Sequence, residues 1–372
     1  MSAPATADGR LRAYAQFVVA VLYFFVAQVL ARRGAEGLAP GPWAPLTDQA
    51  MLVFLLLLGY AAMGFWFNGQ LQPVSEQGLP LRKGWPREAG MGLALGWGIA
   101  IACVIPAVIF GGIAIVLSTR AGSWEWLAAD TGFFALLALG EEIAFRGYGF
   151  QRFAHAVGPL GAALGFAAYY AIVQALRPGT SRASIAVSVL LSLVLATAYL
   201  RTRALWVSWG LNFGWKASRA LIFGLAVTGI DDKSPVVQGN PMGPFWATGG
   251  GFGLDGTWIT FGLLLLALPL VYAATRELDF RYNAPVLEPA GIPVDLEAAG
   301  RAQHEAAVGA AQATGPMLVQ IAPAAGTADR SGSGAGLEGH PETGVSPNTS
   351  NGARAESSAE RVQAERPADS QE

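Results

Sequence analysis

The sequence predicts an all-α fold: a polytopic membrane bundle of about eight transmembrane helices. Two observations carry this. Hydrophobic residues make up 53% of the 372 residues and charged residues only 13%, against about 25% charged in an average soluble chain. The apolar residues also gather into runs long enough to span a bilayer, which takes roughly 17–25 residues.

Taken in order, the predicted spans are Tyr14–Ala31, Ala50–Phe67, Met91–Leu117 and Trp126–Phe150, then Leu160–Leu176, Ile185–Leu200, Leu205–Val227 and Trp258–Ala274. The first lacks a separate short apolar core followed by a small-residue cleavage site, so it reads as a retained helix. Residues 1–13 form a cytoplasmic N-terminus, 14–283 the membrane domain and 284–372 a polar tail. From about Glu288 the tail is rich in Ala, Gly, Pro, Ser, Glu and Gln and has no aromatics. It cannot bury enough apolar area to offset its ordering entropy, so disorder is expected there. His304 and His340 fall in it, away from any chemistry. Gln70–Glu88, broken by Pro73, Pro80 and Pro86, reads as a cytoplasmic connector.

Basic residues in short loops set the orientation. With the N-terminus inside, the inner segments hold Arg10, Arg12, Arg82, Lys83, Arg87, Arg152, Arg201, Arg203, Arg276 and Arg281. The outer loops hold Arg32, Arg33, Arg120, Arg177, Arg182 and Lys233. The excess favours cytoplasmic termini at both ends, in a plasma-membrane protein. A formal net charge of −2 gives no electrostatic case for nucleic acid. The single cysteine, Cys103, lies in an apolar run and reads as a packing residue.

Against this background Glu141 and Glu142 stand out. They are adjacent within the fourth apolar run, and one charged residue at a helix centre costs roughly 2.5–3.5 kcal/mol on insertion scales. Arg146 follows Glu142 by four residues, so on a helix the two face each other and can pair. Glu141 is rotated by about 100° and has no local partner, which makes it the functional candidate. Charge clusters that merely lock helices together are the structural alternative.

Two further elements could carry chemistry. Tyr170 and Gln174 share a face near the end of the fifth span, although an intramembrane glutamine commonly just bridges helices. Ser208, Asn212, Lys216 and Arg219 form one polar stripe along the seventh span. A lysine in mid-span does not suit lipid, and its obvious counter-charge is Glu141. Pairing would relieve the cost of burying either charge alone and would make Glu141 a poorer base. The Gly-rich segment from Ser234 to Gly253 is expected to pack on the membrane domain or dip into it, with a flexible surface loop as the alternative.

These residues resemble the CPBP family of intramembrane proteases, the CAAX-protease and bacteriocin-processing (Abi) proteins, from about Leu81 to Ala274. Glu141-Glu142-Ile143-Ala144-Phe145-Arg146, with Gly147-Tyr148 after it, is similar to the family's Glu-Glu-x-x-x-Arg motif. Arg177-Pro178-Gly179 resembles the segment after the second motif, and Leu205-Trp206 with Gly210-Leu211 the approach to the third. Thr248-Gly249-Gly250-Gly251-Phe252-Gly253 is similar to a loop of one bacterial branch.

The resemblance implies that the first glutamate and a second-motif histidine activate water, while a third-motif His and Asn stabilise the oxyanion. Here the second-motif aromatic and histidine fall on Tyr170 and Gln174, and the third-motif positions on Asn212 and Lys216. The site set is therefore Glu141, Glu142, Arg146, Gln174, Asn212 and Lys216. Gln174 can form hydrogen bonds but cannot take a proton as histidine does; Asn212 and Lys216 can still act as oxyanion donors.

A metalloprotease label would imply zinc, but Gln, Asn and protonated Lys are poor replacements for imidazole ligands, so no cofactor or metal is expected. His155, between the fourth and fifth spans, reads as an ordinary interfacial residue.

Two function classes follow. One is an intramembrane endopeptidase with Glu141 as sole general base. The other is a pseudoprotease that binds membrane partners or peptides. A transporter, resting only on buried carboxylates, is a distant third. The expected partners are membrane lipid and a membrane-embedded or lipidated peptide.

Overall fold

The structure is a computed structural model that describes residues 7–39, 41–110, 112–118, 120–177, 179–227, 236–282, 301 and 303–308. Each of the eight predicted spans contains an α-helix. These are α1 (Ala7–Leu38), α2 (Ala44–Asn68), α4 (Trp85–Ile109), α5 (Ala121–Arg146), α7 (Pro159–Ala175), α8 (Arg182–Thr202), α9 (Leu205–Ala217) and α11 (Trp258–Ala274). Between them lie the short α3 (Pro73–Glu76), α6 (Tyr148–Val157), α10 (Phe245–Thr248) and α12 (Arg276–Tyr282). Helices α1, α2, α4 and α8 are each long and apolar enough to cross a membrane. The chain is a helical integral membrane protein.

Several predicted boundaries move, each for a local reason. The first helix begins at Ala7, before Tyr14, because nothing among Arg10–Arg12 breaks it. The connector ends earlier than expected: Gly84 and Pro86 open α4, so Glu88 is helical and buried. The third span stops at Ile109. Ile113–Leu117, rich in β-branched residues, instead forms strand β1, antiparallel to β2 (Val237–Pro241), with Ile113 opposite Pro241 and Leu117 opposite Val237. The fourth span ends at Arg146, where Gly147 (φ −77°, ψ −138°) leaves helical geometry and α6 begins. The seventh ends in a π-helical turn, Ser218–Ile222.

Close packing of α4 on α9 positions the site. Gly92 and Gly96 on α4 face Gly210 and Gly214 on α9, in the small-xxx-small pattern that lets membrane helices approach. A Cβ at Gly92 would lie 2.2 Å from the Val207 carbonyl oxygen, and one at Gly210 2.2 Å from that of Ala89. A separate apolar cluster ties α1, α2, α5 and α6 together around Leu56, Tyr60, Ile143 and Tyr148. Cys103 is buried in the core beside Trp215 and Leu264, as a packing residue should be.

The Gly-rich segment packs against the bundle. Thr248, Phe252, Leu254 and Asp255 are buried, and Gly253 (φ 81°) lies so close to the Ala226 carbonyl that a Cβ would sit 2.0 Å from its oxygen. Ser234 and Pro235 lie outside the described residues, as do Pro178 and the Asp231–Lys233 loop. Residues 1–288 and 289–372 form separate units. In the second, Arg301 and 303–308 are helical, and His340 and the rest of the predicted disordered tail lie outside the described residues.

Candidate functional site

The last turns of α5 present both glutamates to α9. Glu142 is fully buried and accepts a hydrogen bond from Arg146 Nη1 at 2.8 Å. Arg146 also donates to the Ser192 carbonyl on α8 at 3.3 Å. Four-residue spacing on one helix brings Glu142 and Arg146 together, and the second hydrogen bond ties the pair to a neighbour.

Glu141 lies on an adjoining face, and its partners come from a different helix. Lys216 Nζ donates to its Oε2, and Asn212 Nδ2 donates to the same oxygen at 2.9 Å. Asn212 Nδ2 also reaches Glu142 Oε1 at 3.0 Å, so one amide bridges both carboxylates. The side chain of Glu141 is 25% exposed, against 0% for Glu142. That exposure opens onto a cavity of about 120 Å³ lined by Glu141, Tyr170, Gln174, Asn212, Lys216 and Asp255, among others. Two polar atoms there, Gln174 Nε2 and Asn212 Oδ1, are buried without a hydrogen-bond partner among the described residues. Such atoms are rare because an unmade buried hydrogen bond is costly; here they equip the cavity to take a polar guest.

The structure thus brings all six predicted site residues to one place. Tyr170 lines the cavity and its ring packs on Phe145 with centroids 4.7 Å apart. Ser208, Asn212, Lys216 and Arg219 are all buried, as a continuous polar stripe between packed helices must be. His155 is exposed on α6 and belongs to a different pocket, with Arg12 and Arg152.

Sequence reasoning missed Asp255. It follows the Gly-rich loop, on a 3₁₀ turn, Leu254–Gly256, and pairs with Arg219 at 2.7 Å. Arg219 in turn lies over the Trp215 ring at 3.9 Å and donates to the Trp215 carbonyl at 2.9 Å. The available signal was the unmatched Arg219 at the end of the polar stripe, which called for a buried acid from elsewhere in the chain.

The site does not fit zinc. Oε2 of Glu141 is already engaged by an ammonium and an amide, and Gln174, Asn212 and Lys216 supply neither imidazole nor thiolate. Among the described residues no group of three or more His, Cys, Asp or Glu is placed to hold a metal ion.

Residues 123–218, which carry α5 to α9 and with them Glu141 to Lys216, match the family model for type II CAAX prenyl endopeptidase Rce1-like proteins. Over these residues the chain is similar to the type II CAAX prenyl endopeptidases. No curated protein and no solved structure matches the chain. The CAAX-protease match starts close to the beginning of α5 and ends just after Lys216. Asp255 therefore comes to the Glu141 cavity from beyond the matched segment.

Proposed function

We propose that this CAAX-protease-like membrane protein binds a membrane-embedded or lipidated peptide at the Glu141 cavity and cleaves it slowly or not at all. The observation that carries the reading is the double engagement of Glu141 Oε2 by Lys216 and Asn212. A general base must hold a water within hydrogen-bond reach and accept its proton. With Oε2 held by an ammonium and an amide, only Oε1 is left to hold that water, beside a positive charge. Gln174, at the histidine position, has no basic nitrogen to share the transfer. What remains is a small cavity whose buried amide atoms, unpartnered among the described residues, suit the carbonyl and N–H groups of a peptide.

A second reading has its own support. Gln174 lines the same cavity as Lys216, and its Nε2 has no hydrogen-bond partner among the described residues. If a bound peptide drew Lys216 off Glu141, those donors would stabilise an oxyanion while Glu141 worked alone. Cleavage of a panel of prenylated and transmembrane peptides in proteoliposomes separates the two. The first reading expects little turnover by the wild type, retained peptide binding, and a gain when Gln174→His, Asn212→His and Lys216→Asn are combined. Robust wild-type turnover that vanishes in Glu141→Gln would establish the second. The excess of basic residues in the inner segments supports cytoplasmic termini in a plasma-membrane protein; reporter fusions after Arg281 and in the Asp231–Lys233 loop would test this by their sidedness, and equal accessibility from the same side would overturn it.

A further inference from the structure

A second polar pocket lies where α1, the end of α2 and α6 meet, apart from the Glu141 cavity. Its volume is about 540 Å³, and its polar lining includes Arg12, Gln16, Asn68, Arg152 and His155. Apolar cavities are the rule in a membrane bundle; this one collects three groups able to carry positive charge.

The donors are held in place by their neighbours. Arg12 donates to the Phe67 carbonyl at 2.7 Å, near the end of α2, and is otherwise exposed. Tyr148 O–H donates to Asn68 Oδ1 at 2.9 Å, so the Asn68 amide nitrogen faces the other way, towards Gln16 Oε1 at 3.4 Å. Arg152 lies 5.4 Å from the Tyr148 ring centroid, and its Nε is buried with no hydrogen-bond partner among the described residues.

Among the described residues no acid forms an ion pair with Arg12 or Arg152. Glu76 is the carboxylate that acts on Arg152, and Asp8 precedes Arg12 by one helical turn. Neither forms an ion pair with the cluster among the described residues. Nearby positive charge also acts on His155, whose pKa is pushed down first by desolvation and then by the charges of Arg152 and Arg203. Two guanidinium groups without an ion-pair partner among the described residues, one with an unpartnered Nε–H, form the kind of donor set that oxygen-rich anions take up.

We infer that the Arg12–Arg152–His155 pocket is a binding site for a phosphate ester, with the phosphate oxygens held between Arg12 and Arg152. Its place beside the amphipathic α6, among loops with the excess of basic residues, puts it where an anionic lipid headgroup would lie. A soluble phosphate would meet the same donors. Occupancy would join α1, α2 and α6, and α6 continues directly from the helix that carries Glu141.

The test uses the full chain in nanodiscs of phosphatidylcholine, read by thermal stability. Dioctanoyl phosphatidylglycerol, dioctanoyl phosphatidic acid, dioctanoyl phosphatidylcholine and inorganic phosphate are titrated separately. Stabilisation by the two anionic lipids alone supports a headgroup site, and stabilisation by inorganic phosphate as well supports a site for phosphate from either source. Arg152→Gln should weaken the response by about tenfold, the loss expected for one charge-assisted hydrogen bond. Arg12→Gln, at an exposed position, serves where Arg152→Gln fails to fold. Lys83→Gln, a surface charge outside the pocket, should leave the response unchanged. Equal stabilisation by phosphatidylcholine, no response to any of the four probes, a full response in Arg12→Gln and Arg152→Gln, or an equal loss in Lys83→Gln would each overturn the assignment.

Discussion

Glu141 and Glu142 are neighbours in sequence, yet the fold satisfies them in opposite ways. Glu142 is sealed, with side-chain exposures of 0% and 2% for it and Arg146, and its cation comes from one turn further along the same helix. Glu141 is 25% exposed to a cavity, and its cation comes from α9, seventy-five residues later. The first pair can form as soon as α5 does. The second exists only once α5 and α9 have packed, so it reports tertiary geometry and can respond to a guest. One carboxylate serves the fold and its neighbour faces a cavity.

The largest effect should come from the sealed pair. Arg146→Ala strands a buried carboxylate and should cost about 3–5 kcal/mol, measured as a drop in thermal stability in detergent. Unchanged stability would show that Glu142 is not held as described.

A methyl group at the α4–α9 contact should act on the other pair. Gly92→Ala drives a Cβ into the Val207 backbone, and overpacking of this kind costs about 1–3 kcal/mol. The displacement of α9 should loosen Lys216 from Glu141 while leaving Glu142–Arg146 intact, because that pair lies within one helix. Site-directed spin labels on α5 and α9 would report the separation; an unmoved α9 would mean that the glycine contact does not set the site.

The smallest effect isolates burial from spacing. Arg32 and Glu36 have the same four-residue spacing as Glu142 and Arg146, at 3.6 Å, but their side chains are 80% and 58% exposed. Exposed pairs are worth about 0–1 kcal/mol, so Glu36→Gln should barely shift stability. A loss comparable to that of Arg146→Ala would break the distinction between sealed and solvated pairs.

The same contrast explains what could be read from the sequence. Helix positions and the Glu142–Arg146 pair rest on local periodicity, and Trp258–Ala274 falls where its apolar run does. The approach of Lys216 to Glu141 was legible because an unpaired cation in a span demands an anion. Asp255 was not, since a buried acid on a short turn leaves no periodic signal and is fixed only by how the Gly-rich loop folds back onto Arg219. The β1–β2 pairing escaped for a related reason: Ile113–Leu117 is apolar enough to extend a span, and only its partner Val237–Pro241 makes it a strand.

The contact between Glu141 and Lys216 is the centre of the account, and a double-mutant cycle tests it most directly. Glu141→Gln, Lys216→Met and the double variant would be compared with the wild type by thermal stability in detergent. Each single change leaves one charge without its partner, so the double variant should be more stable than the sum of the two losses allows, with a coupling of about 1–3 kcal/mol. Losses that simply add would contradict the account, because they would mean that Glu141 and Lys216 do not meet.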